Sequence, residues 1–415
     1  MPPPAAGYTG DPMRTDLIYL DNAATSWPKP REVGEAMVAF LEDSAGNPGR
    51  GGHTLARAAT ATIDEARSAI AGLINAPTPK RVVLTHGCTD SLNLAIHGVM
   101  RSTLPQCCGA ATPKVVSSCL EHNAVLRTLH CYASAGLIEF QVINCGSDGL
   151  IDPGAYLEAC DERTVLACLT HASNVLGTIQ EVGVIGEGLR TRSPRALFLV
   201  DVAQTLGHLP IDVDAGQVDL LAVAGHKGLR GPTGTGALFV GPRAFPDDPE
   251  APRLVCERRG GTGMIGIGLD MPRELPDALE AGTANAVGFA GLLAAMRAEC
   301  RADHDTERTL TARMIEGLSS IPGVRLFGLP GVEGRTAVVL FNIDGVHPRD
   351  AAAALDRDHR IAVRGGVHCA PLAHRAIGTG ERGAIRASVG PCNTAADVDA
   401  LLDAVGRLAL AGAGV

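Results

Sequence analysis

Leu197-Phe-Leu-Val-Asp201 and, after a loop, Leu220-Leu-Ala-Val-Ala-Gly-His-Lys227 decide the fold of this chain. Each is a short apolar run that ends in chemistry: a carboxylate at Asp201, an imidazole and an amine at His226 and Lys227. Unbroken apolar runs of this length, without polar alternation, suit strands buried on both faces. The same pattern recurs at residues 82–85, 115–118 and 165–170. Helix-periodic segments lie between, at 56–75, 91–100 and 123–135. Strand–helix alternation predicts an α/β fold with a mainly parallel sheet covered on both faces. Such sheets place ligands beyond the carboxyl ends of their strands. The polar clusters fall at those ends: Thr85-His-Gly-Cys-Thr89, His171-Ala-Ser-Asn174, Asp201-Val-Ala-Gln204 and Gly225-His-Lys227.

Outward from this core the pattern changes near residue 299. A helix at 302–320 leads to strands near 324–327 and 336–342. A helix at 348–356, strands near 361–364 and 385–389 and a helix at 395–408 complete a small α+β unit. Two domains are expected in 415 residues: 19–298 and 299–415, with 1–18 as a loose Pro- and Gly-rich arm. Aromatics are 3% of the chain, so the core must come from Ala, Val, Leu and Ile. A net charge of −9 offers no field for nucleic acid or anionic lipid. No run reaches membrane-span length, and the N-terminus lacks an apolar signal core, so a cytoplasmic protein is expected. Twelve cysteines without a C-x-x-C pair argue against a zinc or thioredoxin-like site, and no metal is expected. Most of these thiols read as small buried hydrophobes; Cys369 is the exception.

Asp201, directly after a hydrophobic strand, projects from the sheet edge. Pyridoxal phosphate (PLP) acts as an electron sink only with its ring nitrogen protonated, and a carboxylate beside it keeps that proton in place. Asp ends many strands, so the residue says little alone. Lys227, beside a Gly-rich stretch from Gly228 to Gly236, can be desolvated and become a nucleophile for an aldehyde as a Schiff base. A lone lysine in a turn is ordinarily solvated; its pairing with Asp201 on one sheet edge changes the reading. In Thr85–Asn93, Gly87, Cys88 and Thr89 stand between strand and helix. Backbone N–H groups there, with the Thr89 hydroxyl, form a cradle for a phosphate; an ordinary N-cap by Thr89 is the plainer alternative.

These residues join a wider set: Tyr19-Leu-Asp-Asn-Ala-Ala-Thr25, Glu121-His-Asn, Ser173-Asn-Val-Leu-Gly-Thr178, Val200-Asp-Val-Ala-Gln204, Gly225-His-Lys227 and Glu280-Ala-Gly-Thr-Ala-Asn285. The set resembles the class V aminotransferases among fold-type I PLP enzymes, and within them the cysteine desulfurases. The likeness runs from about Tyr19 to the C-terminus. It implies a large domain with a mainly parallel seven-stranded-type sheet and a smaller C-terminal domain. It also implies that His122 stacks on the cofactor ring, and that Asn174 and Gln204 bond its phenolic oxygen, with Asn174 also serving the substrate carboxylate. Cys88, Thr89 and His226 join the cofactor contacts. Thr283 reaches the phosphate of a neighbouring subunit's cofactor, which implies a homodimer. The family often has Ser or Thr where this chain has Ala224, so Thr89 and His226 carry more of the phosphate.

The sulfur end lies in Arg364-Gly-Gly-Val-His-Cys-Ala-Pro-Leu-Ala-His374. It follows a strand and reads as a mobile, Gly-rich loop. Cys369 has His368 and Arg364 beside it, neighbours that favour a thiolate. In the short-loop group of desulfurases an Arg five residues before the nucleophilic Cys binds the substrate carboxylate, and Arg364 has that spacing. Arg386 matches a second arginine of the site; Arg50 and His53 match a loop near the partner's active site. Val367 stands where the family often has His. The resemblance implies L-cysteine converted to L-alanine with sulfur left as a persulfide on Cys369, then passed to a thiol or carrier protein. Selenocysteine lyase, a biosynthetic cysteine C–S lyase and a silent sulfur-carrier scaffold stand as alternatives.

Overall fold

The computed structural model describes residues 16–49, 51–104, 111–247, 252–263, 268–298 and 304–412. The strands in chain order are β1 (Ile18–Tyr19), β2 (Val82–Thr85), β3 (Lys114–Ser118), β4 (Glu139–Ile143), β5 (Thr164–Thr170), β6 (Leu197–Asp201), β7 (Leu220–Ala224) and β8 (Gly236–Val240). They continue as β9 (Val324–Phe327), β10 (Val338–Ile343), β11 (Ile361–Ala362), β12 (Arg364–Gly366) and β13 (Ala384–Ser388). A seven-stranded sheet has the order β2-β8-β7-β6-β5-β3-β4. Its pairings are parallel except for those of β8, which runs against both β2 and β7.

The central strands are wholly buried because every second residue serves a different face. In β6, Phe198 and Val200 enter one apolar cluster while Leu197 and Leu199 enter the other. Helices cover both faces. Thr54–Leu73 lies on the first, with Ile63, Ala66 and Ile70 inward, and Cys88–Thr103 on the second, with Leu92, Ile96 and Val99 inward. β2, β3, β5, β6 and β7 point the same way, so Thr85, Ser118, Thr170, Asp201 and Ala224 end along one edge.

A second, antiparallel sheet has the order β12-β13-β10-β9. Helices His304–Ser320, Pro348–His359 and Ala395–Gly412 pack on it through a core that includes Leu318, Phe341, Leu355, Leu401 and Val405. β1 pairs with β11, and Leu20 lies in this same core, so the beginning of the described chain is woven into the unit that its end builds. Among the described residues, no helix is long and apolar enough to cross a membrane.

Candidate active site

The site starts where β6 stops. Asp201 is buried, and its Oδ1 accepts from the Ala203 N–H at 2.8 Å and from the Cys88 thiol at 3.3 Å. Burial and the Asp201 charge push the Cys88 thiol well up, so it stays protonated and donates. Lys227 follows β7 by three residues. Burial pushes its amine down while Asp201 pulls it back, and the net direction is down. A neutral amine at a sheet edge is what addition to an aldehyde requires.

Between β2 and the helix Cys88–Thr103 stands Gly87, with φ +149° and ψ 174°. Only glycine adopts that region readily. The first helical N–H groups, of Cys88, Thr89 and Asp90, have no carbonyl one turn back to bond. Gly87 is the N-cap residue, and Thr89 sits in the first turn, exposed. The plainer reading of Thr89 as the cap is therefore corrected; its hydroxyl is left for the cavity.

β3 leads to Glu121 and His122. Glu121 Oε1 accepts from Ser118 Oγ at 2.7 Å and from the Thr170 N–H at 2.8 Å. Burial pushes Glu121 up to about 8, so it is a protonated acid at neutral pH. His122 caps the helix Asn123–Ser134, its Nδ1 accepting from the Ala124 N–H at 3.0 Å. That bond leaves the ring proton on Nε2, and burial keeps the ring neutral.

The two amide side chains are partly engaged. Gln204 Nε2 donates to the Ala23 carbonyl at 2.9 Å, and Asn174 Nδ2 to the His368 carbonyl at 2.6 Å. An amide nitrogen carries two protons, so each keeps one for a ligand. His226 Nδ1 lies 3.0 Å from Thr25 Oγ1, itself 3.4 Å from Lys29 Nζ. Burial, with Lys227 and Lys29 nearby, pushes His226 down to about 4.

The second sheet supplies the other wall. Arg386 on β13 is 1% exposed; its Nη1 donates to the Asn174 carbonyl at 2.9 Å and its Nη2 to Asp21 Oδ1 at 2.6 Å. Arg364 on β12 holds Nη2 3.7 Å from Cys369 Sγ. Two expectations about this loop are corrected. His368 does not face the thiol: its Nε2 bonds the Arg364 carbonyl at 2.9 Å and its Nδ1 meets His374 Nε2 at 3.1 Å, so neither ring nitrogen is left for Cys369. The ring is also pushed down to about 2 by burial and the nearby arginines, and it carries no charge to offer. Nor does the loop hang free. Asn123 N–H bonds the Cys369 carbonyl at 2.8 Å, Asn174 holds the His368 carbonyl, and the helix Pro371–Ala376 begins two residues on.

Together these residues enclose a cavity of about 700 Å³, lined by Cys88, Thr89, His122, Asn174, Asp201, Gln204, His226, Lys227, Arg364, Cys369 and Arg386 among others. Thr283 and His53 are not part of it. Thr283 is exposed in a smaller cleft, in the loop that the Arg67–Glu280 ion pair (2.6 Å) ties to β2. His53 is exposed and caps the helix Thr54–Leu73. Arg50 lies outside the described residues. Among the described residues no three His, Cys, Asp or Glu gather as a metal site. Asp21 as the partner of Arg386, Glu121 as the anchor before His122, and His374 emerge only from the structure. Asp21 and Glu121 stood inside quoted motifs; the pairing of His374 with His368 had no local signal.

The family model for aminotransferase class-V matches residues 18–401. The chain belongs to that family. Among curated class-V relatives, a probable cysteine desulfurase of Methanothermobacter thermautotrophicus is 32% identical, over 96% of this chain and 96% of that protein. One from Streptomyces coelicolor is 33% identical, over 93% and 91%. The apo structure of a cysteine desulfurase from Thermococcus onnurineus superposes with a TM-score of 0.84 at 32% identity, covering 95% of each chain. The Escherichia coli cysteine desulfurase CsdA, an S-sulfonic acid form, gives 0.82 at 30%, again over 95% of each. The fold-type I arrangement that the resemblance implies is thereby borne out.

Proposed function

We propose that this chain is a PLP-dependent cysteine desulfurase in which Cys369 takes the substrate sulfur. The observation that carries the reading is the meeting of Lys227, Asp201 and Cys369 on one cavity, with Arg364 against the thiol. The residues fit the cofactor. A buried carboxylate suits its ring nitrogen, a lysine whose amine burial pushes down suits its aldehyde, and a helix start behind Gly87 its phosphate. When bound, PLP supplies an electron sink for negative charge developing at the substrate Cα.

The chain's own residues divide the rest. Asp201 keeps a proton at the ring nitrogen. Asn174 and Gln204 each hold a spare amide N–H toward the cavity, and Thr89, Cys88 and His226 line the phosphate end. His122, neutral, offers a flat apolar face to the ring. Arg364 and Arg386 receive the substrate carboxylate. Lys227 binds the cofactor aldehyde and later moves a proton at the substrate Cα. The Cys369 thiolate attacks the substrate sulfur; the carbon–sulfur bond breaks, a sulfur–sulfur bond forms, and the Cα fragment leaves as L-alanine. The persulfide passes to an acceptor thiol or carrier protein.

The same proposal places the chain in a homodimer. Thr283 and His53 are exposed outside their own cavity, where they are free to serve a partner's. It retains the division at 298/299. Cys88, Cys119, Cys131, Cys145, Cys160, Cys168, Cys256 and Cys369 are thiols, which suits a reducing cytoplasm.

The test supplies L-cysteine and L-selenocysteine to wild type and Cys369→Ala, and follows alanine, sulfide, selenide and pyruvate. Alanine with sulfide from wild type alone supports the reading. Sulfide released as fast by the variant overturns the persulfide step. A selenocysteine-only response assigns a lyase, and pyruvate assigns β-elimination.

A further inference from the structure

His368 and His374 are two of the most buried polar groups in the protein, 2% and 0% exposed, and the chemistry above uses neither. Their contacts form one line. Thr379 Oγ1 lies 2.7 Å from His374 Nδ1, His374 Nε2 lies 3.1 Å from His368 Nδ1, and His368 Nε2 lies 2.9 Å from the Arg364 carbonyl oxygen. With both rings neutral, the direction of the bonds they make follows from the carbonyl at the end of the line. A carbonyl only accepts, so His368 must donate from Nε2. Its Nδ1 then accepts, so His374 must donate from Nε2. His374 Nδ1 in turn accepts, and the Thr379 hydroxyl donates. The Thr379 hydroxyl also lies 3.1 Å from the His374 carbonyl, a longer contact than its 2.7 Å to the ring, and that carbonyl already takes the N–H groups of Thr379 and Gly380. A second proton on His368 would set its Nδ1–H against the His374 Nε2–H, and both rings are pushed down, to about 2 and about 4, chiefly by burial.

We propose that this line of neutral rings is a positioning device that sets the Arg364 guanidinium against the Cys369 thiol. It braces the main chain between them, because its last bond ends on the carbonyl of Arg364 and its middle member immediately precedes Cys369. The loop needs such a brace. His368 and Cys369 have φ of +50° and +60°, a left-handed pair that side chains with a Cβ hold only when the surroundings impose it. Asn174 and Asn123 hold the two carbonyls from the large sheet. The imidazole line holds the same turn from inside the loop's own sequence. At 3.7 Å, the Arg364–Cys369 contact is long enough that a small relaxation breaks it.

The device rests on the reading that Cys369 is the working thiol, yet it can be tested apart from it. Iodoacetate and iodoacetamide alkylate thiols alike, but only iodoacetate carries a carboxylate that a neighbouring guanidinium attracts. With cofactor-loaded, full-length enzyme, the rate of each at Cys369 is followed by peptide mass spectrometry, since the chain has twelve cysteines. The iodoacetate-to-iodoacetamide ratio reports Arg364 beside the thiol. In His374→Leu, which fills the space without a donor, that ratio drops to that of a free thiol, and alanine formation slows by about 10²-fold, the size of an ångström-scale misplacement. His374→Gln, whose amide nitrogen restores a donor toward His368, recovers most of the ratio; Thr379→Val lowers it less than Leu does. Cofactor absorbance stays unchanged in all three. An unchanged ratio in His374→Leu, or in Thr379→Val where the former does not fold, overturns the proposal, as does an equal loss in His374→Gln and His374→Leu. The sulfur-transfer reading fails separately, if Cys369→Ala desulfurates at the wild-type rate.

Discussion

Asp21→Asn removes one charge from the site and leaves every shape in place. Arg386 is 1% exposed, and the carboxylate it touches is Asp21, at 2.6 Å. Burial pushes the guanidinium down and Asp21 pulls it back up. Two charges about 4 Å apart at an effective dielectric near 20 attract by about 4 kcal/mol. Asp21 keeps 20% of its side-chain surface, so solvent trims the figure to about 3 kcal/mol, the low end for stranding one member of a buried pair. Asn retains the hydrogen bond, so the loss is charge and not contact. Urea unfolding of the variant should show this cost. The same change should tighten binding of L-alanine, whose carboxylate supplies the missing negative charge to Arg386. Recovering half of the loss corresponds to about tenfold in affinity, and saturating alanine should move the urea midpoint back toward wild type. A variant that unfolds at the wild-type urea concentration and binds alanine no tighter would refute both the ion-pair reasoning and the assignment of Arg386 to the carboxylate.

Cys88→Ala deletes a donor to Asp201; titrating apoenzyme with PLP should give an affinity about fivefold weaker, from about 1 kcal/mol of hydrogen bond, and Cys88→Ser should restore it. Gly87→Ala meets nothing within 4 Å, so its cost is backbone strain alone, about 1–3 kcal/mol, seen as weaker competition by inorganic phosphate for the PLP site. Glu121, raised to about 8 from 4.5, lends stability that is complete below pH 4.5 and is lost as pH rises through about 8. The urea midpoint of wild type should therefore fall relative to Glu121→Gln between pH 6 and pH 9, and parallel profiles would exclude a buried protonated acid. Because Lys227 is shifted down, aldehyde addition to the apoenzyme should reach its plateau at lower pH than addition to a free lysine, and coincident profiles would show a solvated amine.

The cofactor end of the site was legible because it is written where strands end. A strand buried on both faces leaves an unbroken apolar run, and the next polar residue must emerge at the sheet edge. That logic found Asp201, Lys227 and the Gly87 turn. It missed β4, an edge strand whose residues are exposed or half-buried and so leave no such run. It missed β8 because a Gly-rich loop ran straight into it. At the sulfur end the structure brings Arg364, Cys369 and Arg386 to one cavity, but the arrangement around the thiol differs from the expectation. Adjacency suggested that His368 serves Cys369, but the left-handed turn carries the ring inward to His374. Glycines suggested mobility, while the anchors come from Asn123 and Asn174, far away in sequence. The Asp21–Arg386 pair spans 365 positions, and nothing local announces it.

This difference in legibility has a mechanistic counterpart. The groups proposed to face the cofactor, Asp201, Lys227, Cys88 and His122, all stand at one sheet edge, and Asp201, Cys88 and His122 are held by bonds made at that edge. The groups proposed to face the substrate, Arg386 and the Cys369 loop, belong to the second unit and are held by bonds that cross to the loops of the first or to the chain's beginning. Changes to the first set should therefore act on cofactor affinity and leave the fate of bound substrate alone. Changes to the crossing bonds should do the reverse: they leave the cofactor in place but alter which substrate bond breaks, because a carbanion beside a misplaced thiol still has β-elimination open to it. A variant such as Asp21→Ala, which takes from Arg386 its partner at the chain's beginning, should accordingly raise the pyruvate-to-alanine ratio at unchanged cofactor absorbance. If instead it loses cofactor and keeps its product ratio, the division of labour between the two sheets is wrong.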